Sequence, residues 1–304
     1  MNQAKHKIIV PEEMGQSILQ SLPGVEIYVV SPDGGIPDDQ RDVDILVVGP
    51  AEKSSEVEAA LKQISQLPHL KLIQTLGQGT EQWDGKLPSD VIMSTARGAH
   101  GGSTAELAVA MLLSLVRELP YYAAQQAAKS WQPKRSQTLL GAHVTVYGAS
   151  DLGRSIQQRL VPFGVDVTLV GSHSRDDIVD MKTAYERLPD ATAVIMALPL
   201  TPETEHTVNA DFLSRLQDGA IVVNVARGGL VDQQALAHEV LAGRLRAALD
   251  VATPEPLPST DVLWHASEVL LTPHVGGNTV GSDTRAWNVA RKQIEDYIHG
   301  KLSK

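Results

Sequence analysis

Three residues late in the chain carry side chains able to do acid–base chemistry on an anionic substrate: Arg227, Glu255 and His274. An imidazole titrates near neutral pH and can give or take a proton as bonds change. A carboxylate beside it favours the imidazolium. A guanidinium presents a planar fork that suits an oxo acid. Singly, all three are ordinary residues. The chain has ten histidines, and any one of them is most often a surface or satisfied core residue. An isolated arginine is usually surface charge, and a glutamate between Pro254 and Pro256 a solvated loop residue. What sets these three apart is position. Each follows a short apolar run within a few residues.

Those runs are Ala220–Val225, Ala247–Val251 and Val269–Leu271. Each is apolar on both faces and bounded by Gly, Pro or Asp, the pattern of a strand buried in a parallel sheet. Helical patterning over Gln233–Ala242 lies between the first two, so they read as parallel neighbours. Ligands of open parallel sheets bind outside the carboxyl ends of the strands. Three such ends then deliver a guanidinium, a carboxylate and an imidazole to a shared site. His265 precedes its strand and falls at the opposite end.

Upstream, His143–Tyr147 reads as a strand running into Gly148-Ala149-Ser150-Asp151-Leu152-Gly153 and then a helix over Arg154–Leu160. This is a strand–turn–helix of dinucleotide-binding type. Gly148 permits the tight turn and Gly153 permits close helix–strand packing. The helix N-terminus offers free N–H groups and partial positive charge to a pyrophosphate. Ser150 stands where the fingerprint has its second glycine. Its Cβ crowds a cofactor, while its hydroxyl can bond a phosphate oxygen. By itself this imperfect fingerprint is a weak signal. The next strand, Val165–Val170, should lead to an acidic residue about 20 residues past the turn if the ribose of NAD is to be held. The chain has Ser172-His173-Ser174-Arg175 instead. Hydroxyls and a cation suit a 2′-phosphate, so NADP is expected in preference to NAD. The plainer alternative makes Arg175 a solvated loop residue.

Together, Asn224-Val225-Ala226-Arg227-Gly228-Gly229-Leu230-Val231-Asp232, Leu249-Asp250-Val251 with Glu255-Pro256, and Leu271-Thr272-Pro273-His274-Val275-Gly276-Gly277 resemble the ordered motifs of the D-isomer-specific 2-hydroxyacid dehydrogenases. With weaker matches, the resemblance covers roughly residues 70–300. It implies hydride transfer between NADP(H) or NAD(H) and a small 2-oxo acid or D-2-hydroxy acid. His274 would be the proton donor and acceptor, Glu255 its partner and Arg227 the clamp on the oxo acid. It further implies that Asp250 holds the nicotinamide carboxamide and that Val225, Ala226 and Gly276 line the cofactor. Pro199 and Thr204, after the strand Ala193–Ala197, would lie along its adenosine half. Gln78 and Gly79, after an earlier strand, would bind the substrate carboxylate through main-chain amides. A homodimer is implied as well, with the apolar helix after Ser103 near its axis. Ala252 departs from the aromatic residue the family often carries there, which leaves pocket shape open. Glu255 in place of Gln disfavours the formate-oxidising relatives. Glyoxylate and hydroxypyruvate are the first substrates to try.

The length of 304 residues suggests two domains. Strand signals at Lys7–Val10, Ile27–Val30, Ile45–Val48, Leu70–Gln74 and Val91–Ser94, with a helix at Ser54–Gln66, make the first part an α/β unit without a phosphate fingerprint. The expected fold is α/β, with two Rossmann-like domains built on doubly wound parallel sheets. Residues 1–98 and 273–304 form the substrate domain, and the dinucleotide-binding domain, 99–272, is inserted into it. Ser103 with Glu106 fits a capping box opening a buried helix, Tyr121–Lys129 reads as another helix, and Ser282–His299 as a long amphipathic one. A net charge of -10 argues against nucleic acid or an anionic membrane as partner. The absence of cysteine removes disulfides and thiolate chemistry, and no metal site is expected. The longest nearly apolar run, Leu107–Val116, is far short of the ~20 residues of a membrane span. Met1–Lys7 is polar and leads straight into Ile8-Ile9-Val10, unlike a signal peptide. A cytoplasmic enzyme is expected. A dinucleotide-sensing protein without turnover would share the fold, because fold does not fix function; the intact Arg227, Glu255 and His274 set argues for catalysis. Tyr185 and Tyr297 lack a lysine four residues on, which removes a short-chain dehydrogenase reading.

Overall fold

A computed structural model describes residues 6–50 and 54–302. Met1–Lys5 of the polar N-terminus lie outside the described residues. In chain order the elements are β1 (His6–Val10), α1 (Glu13–Leu19), β2 (Val25–Val29), β3 (Ile45–Val48), α2 (Ser54–Ile64), β4 (Leu72–Thr75) and β5 (Ile92–Thr95). Then come α3 (Gly101–Val116), α4 (Leu119–Ala127), β6 (His143–Tyr147), α5 (Asp151–Leu160), β7 (Asp166–Gly171), β8 (Ile178–Asp180), α6 (Met181–Glu186) and β9 (Ala193–Met196). The rest are α7 (Ala210–Arg215), β10 (Ile221–Asn224), α8 (Gln233–Leu241), β11 (Arg246–Leu249), β12 (Val269–Leu271) and α9 (Ser282–Ile298).

The chain divides into two compact units, Met1–His100 with Val280–Lys304, and Gly101–Thr279. The first holds a five-stranded sheet in the order β2-β1-β3-β4-β5, parallel throughout. The last helix, α9, belongs to it and inserts Ala286, Trp287, Ala290 and Ile294 among Ile8, Val10, Leu19 and Leu72. Trp287 is wholly buried. Its indole donates to Glu12 Oε1 at 2.7 Å, and its ring lies so close over Gly15 that a Cβ there would stand 2.3 Å from it.

The second unit holds a seven-stranded parallel sheet in the order β12-β11-β10-β9-β6-β7-β8. Strand order reverses between β6 and β9, where doubly wound folds bind their ligands. Helix α3 buries Ala105, Ala108, Leu112 and Leu115 against Val144, Ile156 and Ile221. Each fully buried Leu, Ile or Val side chain of this kind contributes roughly 1.5–3 kcal/mol. The apolar character of α3 on nearly all sides is thus used up inside its own unit.

Several expectations need correction. Ser103 and Glu106 do not cap α3, which starts two residues earlier at Gly101; the glycines extend the helix backwards and leave the pair inside it. The helix also stops at Val116, where Glu118 takes a left-handed φ of 58°. The third strand of the site, β12, is only half-buried because it is the sheet edge. The second unit runs to Thr279, and within it Asp250 hydrogen-bonds the main chain of Val275 and Gly276. No single helix among the described residues is long and apolar enough to cross a membrane.

Candidate active site

β12, β11 and β10 lie side by side, so the loops at their carboxyl ends are neighbours. The Asp250 N–H donates to Asn224 O at 2.9 Å, continuing the ladder one residue past β10 and β11. Asn224 itself is buried, and its side chain clamps the next turn. It accepts from the Ala226 N–H at 3.1 Å and donates to Arg227 O at 2.8 Å. Arg227 donates back to Ala226 O at 2.8 Å. Gly228 then rests on the main chain of Ala252, where a Cβ would stand 2.0 Å from the carbonyl oxygen. Only glycine lets the Arg227 loop approach the Glu255 loop this closely.

Asp250 fastens the third loop. Its carboxylate is 2 % exposed and accepts from Thr272 Oγ1 at 2.6 Å, Val275 N–H at 2.9 Å and Gly276 N–H at 2.8 Å. Its carbonyl accepts from the His274 N–H at 2.7 Å. Between these anchors His274 is held at a φ of 54°, a left-handed conformation that costs a non-glycine residue about 1–3 kcal/mol and persists only where surroundings over-determine it. The bonds to Asp250 supply that restraint.

His274 Nδ1 and Glu255 Oε2 are 2.8 Å apart, with side chains 33 % and 38 % exposed. The second Glu255 oxygen accepts from the Ala252 N–H at 3.0 Å. Burial pulls the Glu255 pKa upward most strongly. The hydrogen bonds from His274 and Ala252 and the charges of His274 and Arg227 together outweigh it and hold the carboxyl below its ordinary 4.5. Glu255 is therefore an anion at neutral pH. With Nδ1 protonated, its carboxylate is the acceptor of that hydrogen bond. Arg227, Glu255, His274, Asp250 and Gly276 are thus brought together within one unit.

The glycine turn has the shape expected for a dinucleotide. Gly148 sits at a φ of 126° with Ala197 O 2.4 Å from where a Cβ would be, and a Cβ on Gly153 would stand 1.7 Å from Gly148 O. Both positions exclude every other residue. Ser150 is the N-cap of α5, yet its hydroxyl makes no capping bond; Asp151 and Leu152 form the first turn. The residues present fit a pyrophosphate, with Ser150 Oγ able to donate to it. Among the four residues after β7, Ser172, His173 and Arg175 are exposed. Ser174 is committed: its hydroxyl donates to Asp180 Oδ2 at 2.8 Å and accepts from the Asp180 N–H at 3.0 Å. The loop is tied to α5 by a bidentate pair of Arg154 with Asp177, whose guanidinium hydrogen bond holds the Asp177 pKa down to about 2. Thr204 is committed too. Its hydroxyl donates to Pro199 O at 2.7 Å and accepts from the Thr201 N–H at 2.8 Å, so it shapes the loop after β9. Val225 and Ala226 are buried.

Gln78 and Gly79 belong to the other unit, in the loop after β4. Gly77 N–H donates to Thr75 Oγ1 at 2.9 Å, and Leu76 and Ala96 tie the loop base to β3 and to the end of β5. Asn224 and Gly228 shape the site without being among the expected residues; the Asn-x-x-Arg-Gly spacing carries their signal, because an Asn at a strand end can close a turn onto its own backbone. Among the described residues no group of three or more His, Cys, Asp or Glu side chains is arranged to hold a metal ion.

The profile of the D-isomer specific 2-hydroxyacid dehydrogenase NAD binding domain matches residues 109–276. A D-3-phosphoglycerate dehydrogenase of Methanocaldococcus jannaschii is 27% identical over 98% of this chain, which spans only 58% of that protein. The human glyoxylate reductase/hydroxypyruvate reductase is 31% identical over 69% of each chain. A solved D-isomer specific 2-hydroxyacid dehydrogenase from Xanthobacter autotrophicus Py2, in complex with NADPH and MES, superposes with a TM-score of 0.81 at 27% identity, over 97% of this chain and 96% of that one.

Proposed function

Since the chain belongs to the D-isomer-specific 2-hydroxyacid dehydrogenase family, we propose that it reduces a small 2-oxo acid to the D-2-hydroxy acid with NADPH, and runs the reverse with NADP. The observation that carries this reading is the His274–Glu255 pair at 2.8 Å, set on strand ends beside Arg227. A bound nicotinamide supplies or accepts the hydride. Arg227 holds the oxo acid and draws electron density towards its carbonyl oxygen. His274 Nε2 gives that oxygen its proton, and Glu255 stabilises the imidazolium before transfer and fixes the ring. In the reverse direction His274 takes the hydroxyl proton. Main-chain N–H groups of Gln78 and Gly79 bind the substrate carboxylate. Gly148, Ser150, Asp151, Leu152 and Gly153 receive the pyrophosphate, Pro199 and Thr204 the adenosine side, and Val225, Ala226, Asp250 and Gly276 the nicotinamide side.

The preference for NADP rests on the exposed Arg175, whose side chain has no partner among the described residues, and on the missing acidic residue at the end of β7. Ser172 adds a donor; Ser174 acts through the loop by holding Asp180. The solved relative's NADPH supports the same reading. Rates of NADPH and NADH oxidation with glyoxylate and hydroxypyruvate test both parts. NADPH should give the higher kcat/KM, and Arg175→Ala should shrink its advantage about tenfold, the worth of one charge-assisted hydrogen bond. A clear advantage for NADH refutes the cofactor choice, and no turnover of any 2-oxo acid favours a sensing protein.

The enzyme is further read as a cytoplasmic homodimer. Leu119 and Trp131 support this: they are 52% and 96% exposed close to one another in sequence, where a second copy would cover them. Light scattering on a sizing column should return about twice the 32.7 kDa of one chain. A monomer mass at micromolar concentration overturns it.

A further inference from the structure

The turn after β5 presents a cation that the reaction proposed above does not use. Thr75 and Thr95 are partners across β4 and β5, so continuing the register puts Arg97 opposite Gly77. Neighbouring strands are about 4.8 Å apart. The Ala96 N–H donates to Gly77 O at 2.8 Å, fixing that placement. The Ala99 N–H donates to Ala96 O at 3.0 Å, and Arg285 Nε donates to Ala99 O at 3.2 Å. Ala96 and Ala99 are buried, whereas Arg97 between them is exposed. A rigid turn thus carries a solvent-facing guanidinium one strand away from the Gln78–Gly79 loop.

The other arginines of this unit are all engaged. Arg41 pairs with Asp38, Arg285 binds main-chain carbonyls, and Arg291 meets Ser21 and Glu295. Arg97 has no hydrogen bond or ion pair among the described residues, in a chain whose net charge is -10. Among the described residues of this unit Arg97 is thus the arginine without a side-chain partner, set on a braced turn beside the Gln78–Gly79 loop.

We propose that Arg97 is a second anion subsite next to the Gln78–Gly79 loop, so that the preferred substrate is a 2-oxo acid bearing a second anionic group, a carboxylate or a phosphate. This rests on the reading of that loop as the holder of the first carboxylate. The guanidinium is a planar, permanently charged fork, suited to either group. Because it meets the far end of the substrate and not the reacting carbonyl, it selects substrates and does no chemistry.

The test compares 2-oxobutyrate, a monoanion, with oxaloacetate and 2-oxoglutarate, and with 3-phosphohydroxypyruvate, on wild type, Arg97→Ala and Arg97→Lys. The quantity read is the ratio of kcat/KM for a dianionic substrate to that for 2-oxobutyrate. It should favour a dianion in the wild type, fall about 10–100-fold in Arg97→Ala and recover in part in Arg97→Lys. The dicarboxylic and phosphorylated arms identify which anion the subsite takes. An equal fall on every substrate, or a wild type indifferent to the second charge, overturns the proposal. Titration calorimetry of the same acids into cofactor-free protein separates the two readings. Selective loss of dianion binding in Arg97→Ala without turnover of any acid keeps the subsite and removes the dehydrogenase. Turnover with no such selectivity does the reverse.

Discussion

Replacing His274 by alanine should lower kcat about 10²–10⁴-fold, the range of a general acid–base group, while the affinity for NADPH stays within about twofold. The two halves of this expectation have separate structural sources. In the proposed reaction the imidazole carries the proton, and Glu255 lies 2.8 Å from its Nδ1. The glycine turn proposed for the pyrophosphate is shaped by the close approaches at Gly148 and Gly153, to Ala197 and within the turn itself. Alanine in a left-handed conformation is unfavourable, so His274→Asn is the companion variant; asparagine tolerates φ near 54° and keeps the loop without an acid of suitable strength. Both variants should fail in turnover and bind NADPH as measured by fluorescence titration. Unchanged kcat in either one removes His274 from the mechanism.

Replacing Asp250 by alanine should do damage of a different kind. Three donors, the Thr272 hydroxyl and the Val275 and Gly276 N–H groups, would lose a buried anionic acceptor. Unmet buried donors cost roughly 1–3 kcal/mol each. A total of about 3–5 kcal/mol is expected, since the loop can relax toward water, and a Tm lower by about 10 °C. The His274 backbone would be released from its left-handed setting, so kcat should fall with stability. Asp250→Asn separates the effects. It keeps an acceptor for Thr272 and Val275, but turns an N–H₂ towards the Gly276 N–H, and should lose less Tm than alanine. A wild-type Tm and wild-type kcat in Asp250→Ala would show that the carboxylate does not hold the loop.

What could be read from residues alone follows the range of the forces involved. Gly148 and Gly153 were legible because their requirement is steric and local. Arg227, Glu255 and His274 were legible because each closely follows an apolar run, and parallel strands deliver their ends to one side. The use of Ser174 and Thr204 was not legible. Both hydroxyls face partners, Asp180 and Pro199, that only the folded loop selects. Asp250 is expected to hold a ligand, whereas its three bonds into the 272–276 loop depend on the fold that brings residues 250 and 272–276 together. The capping pattern at Ser103 misled because two preceding glycines let the helix start earlier. The short helices α1, α6 and α7 and the three-residue β8 carry too few residues for periodicity to mark them. Arg97 is a single charge in sequence; the ladder from Thr75 to Thr95 gives it a place.

The late arrival of α9 sets a timetable for synthesis. Trp287 and Ile294 are needed to close the core that begins with Ile8, yet nearly two hundred codons separate the end of β5 from them. At 5–20 residues per second a ribosome spends about 10–40 s on that interval. The inserted unit, Gly101–Thr279, emerges whole before α9 does. It can fold while the opening strands wait with Gly15 uncovered, so the nascent chain passes through a stage in which its oldest segment is the least finished and the most in need of a chaperone.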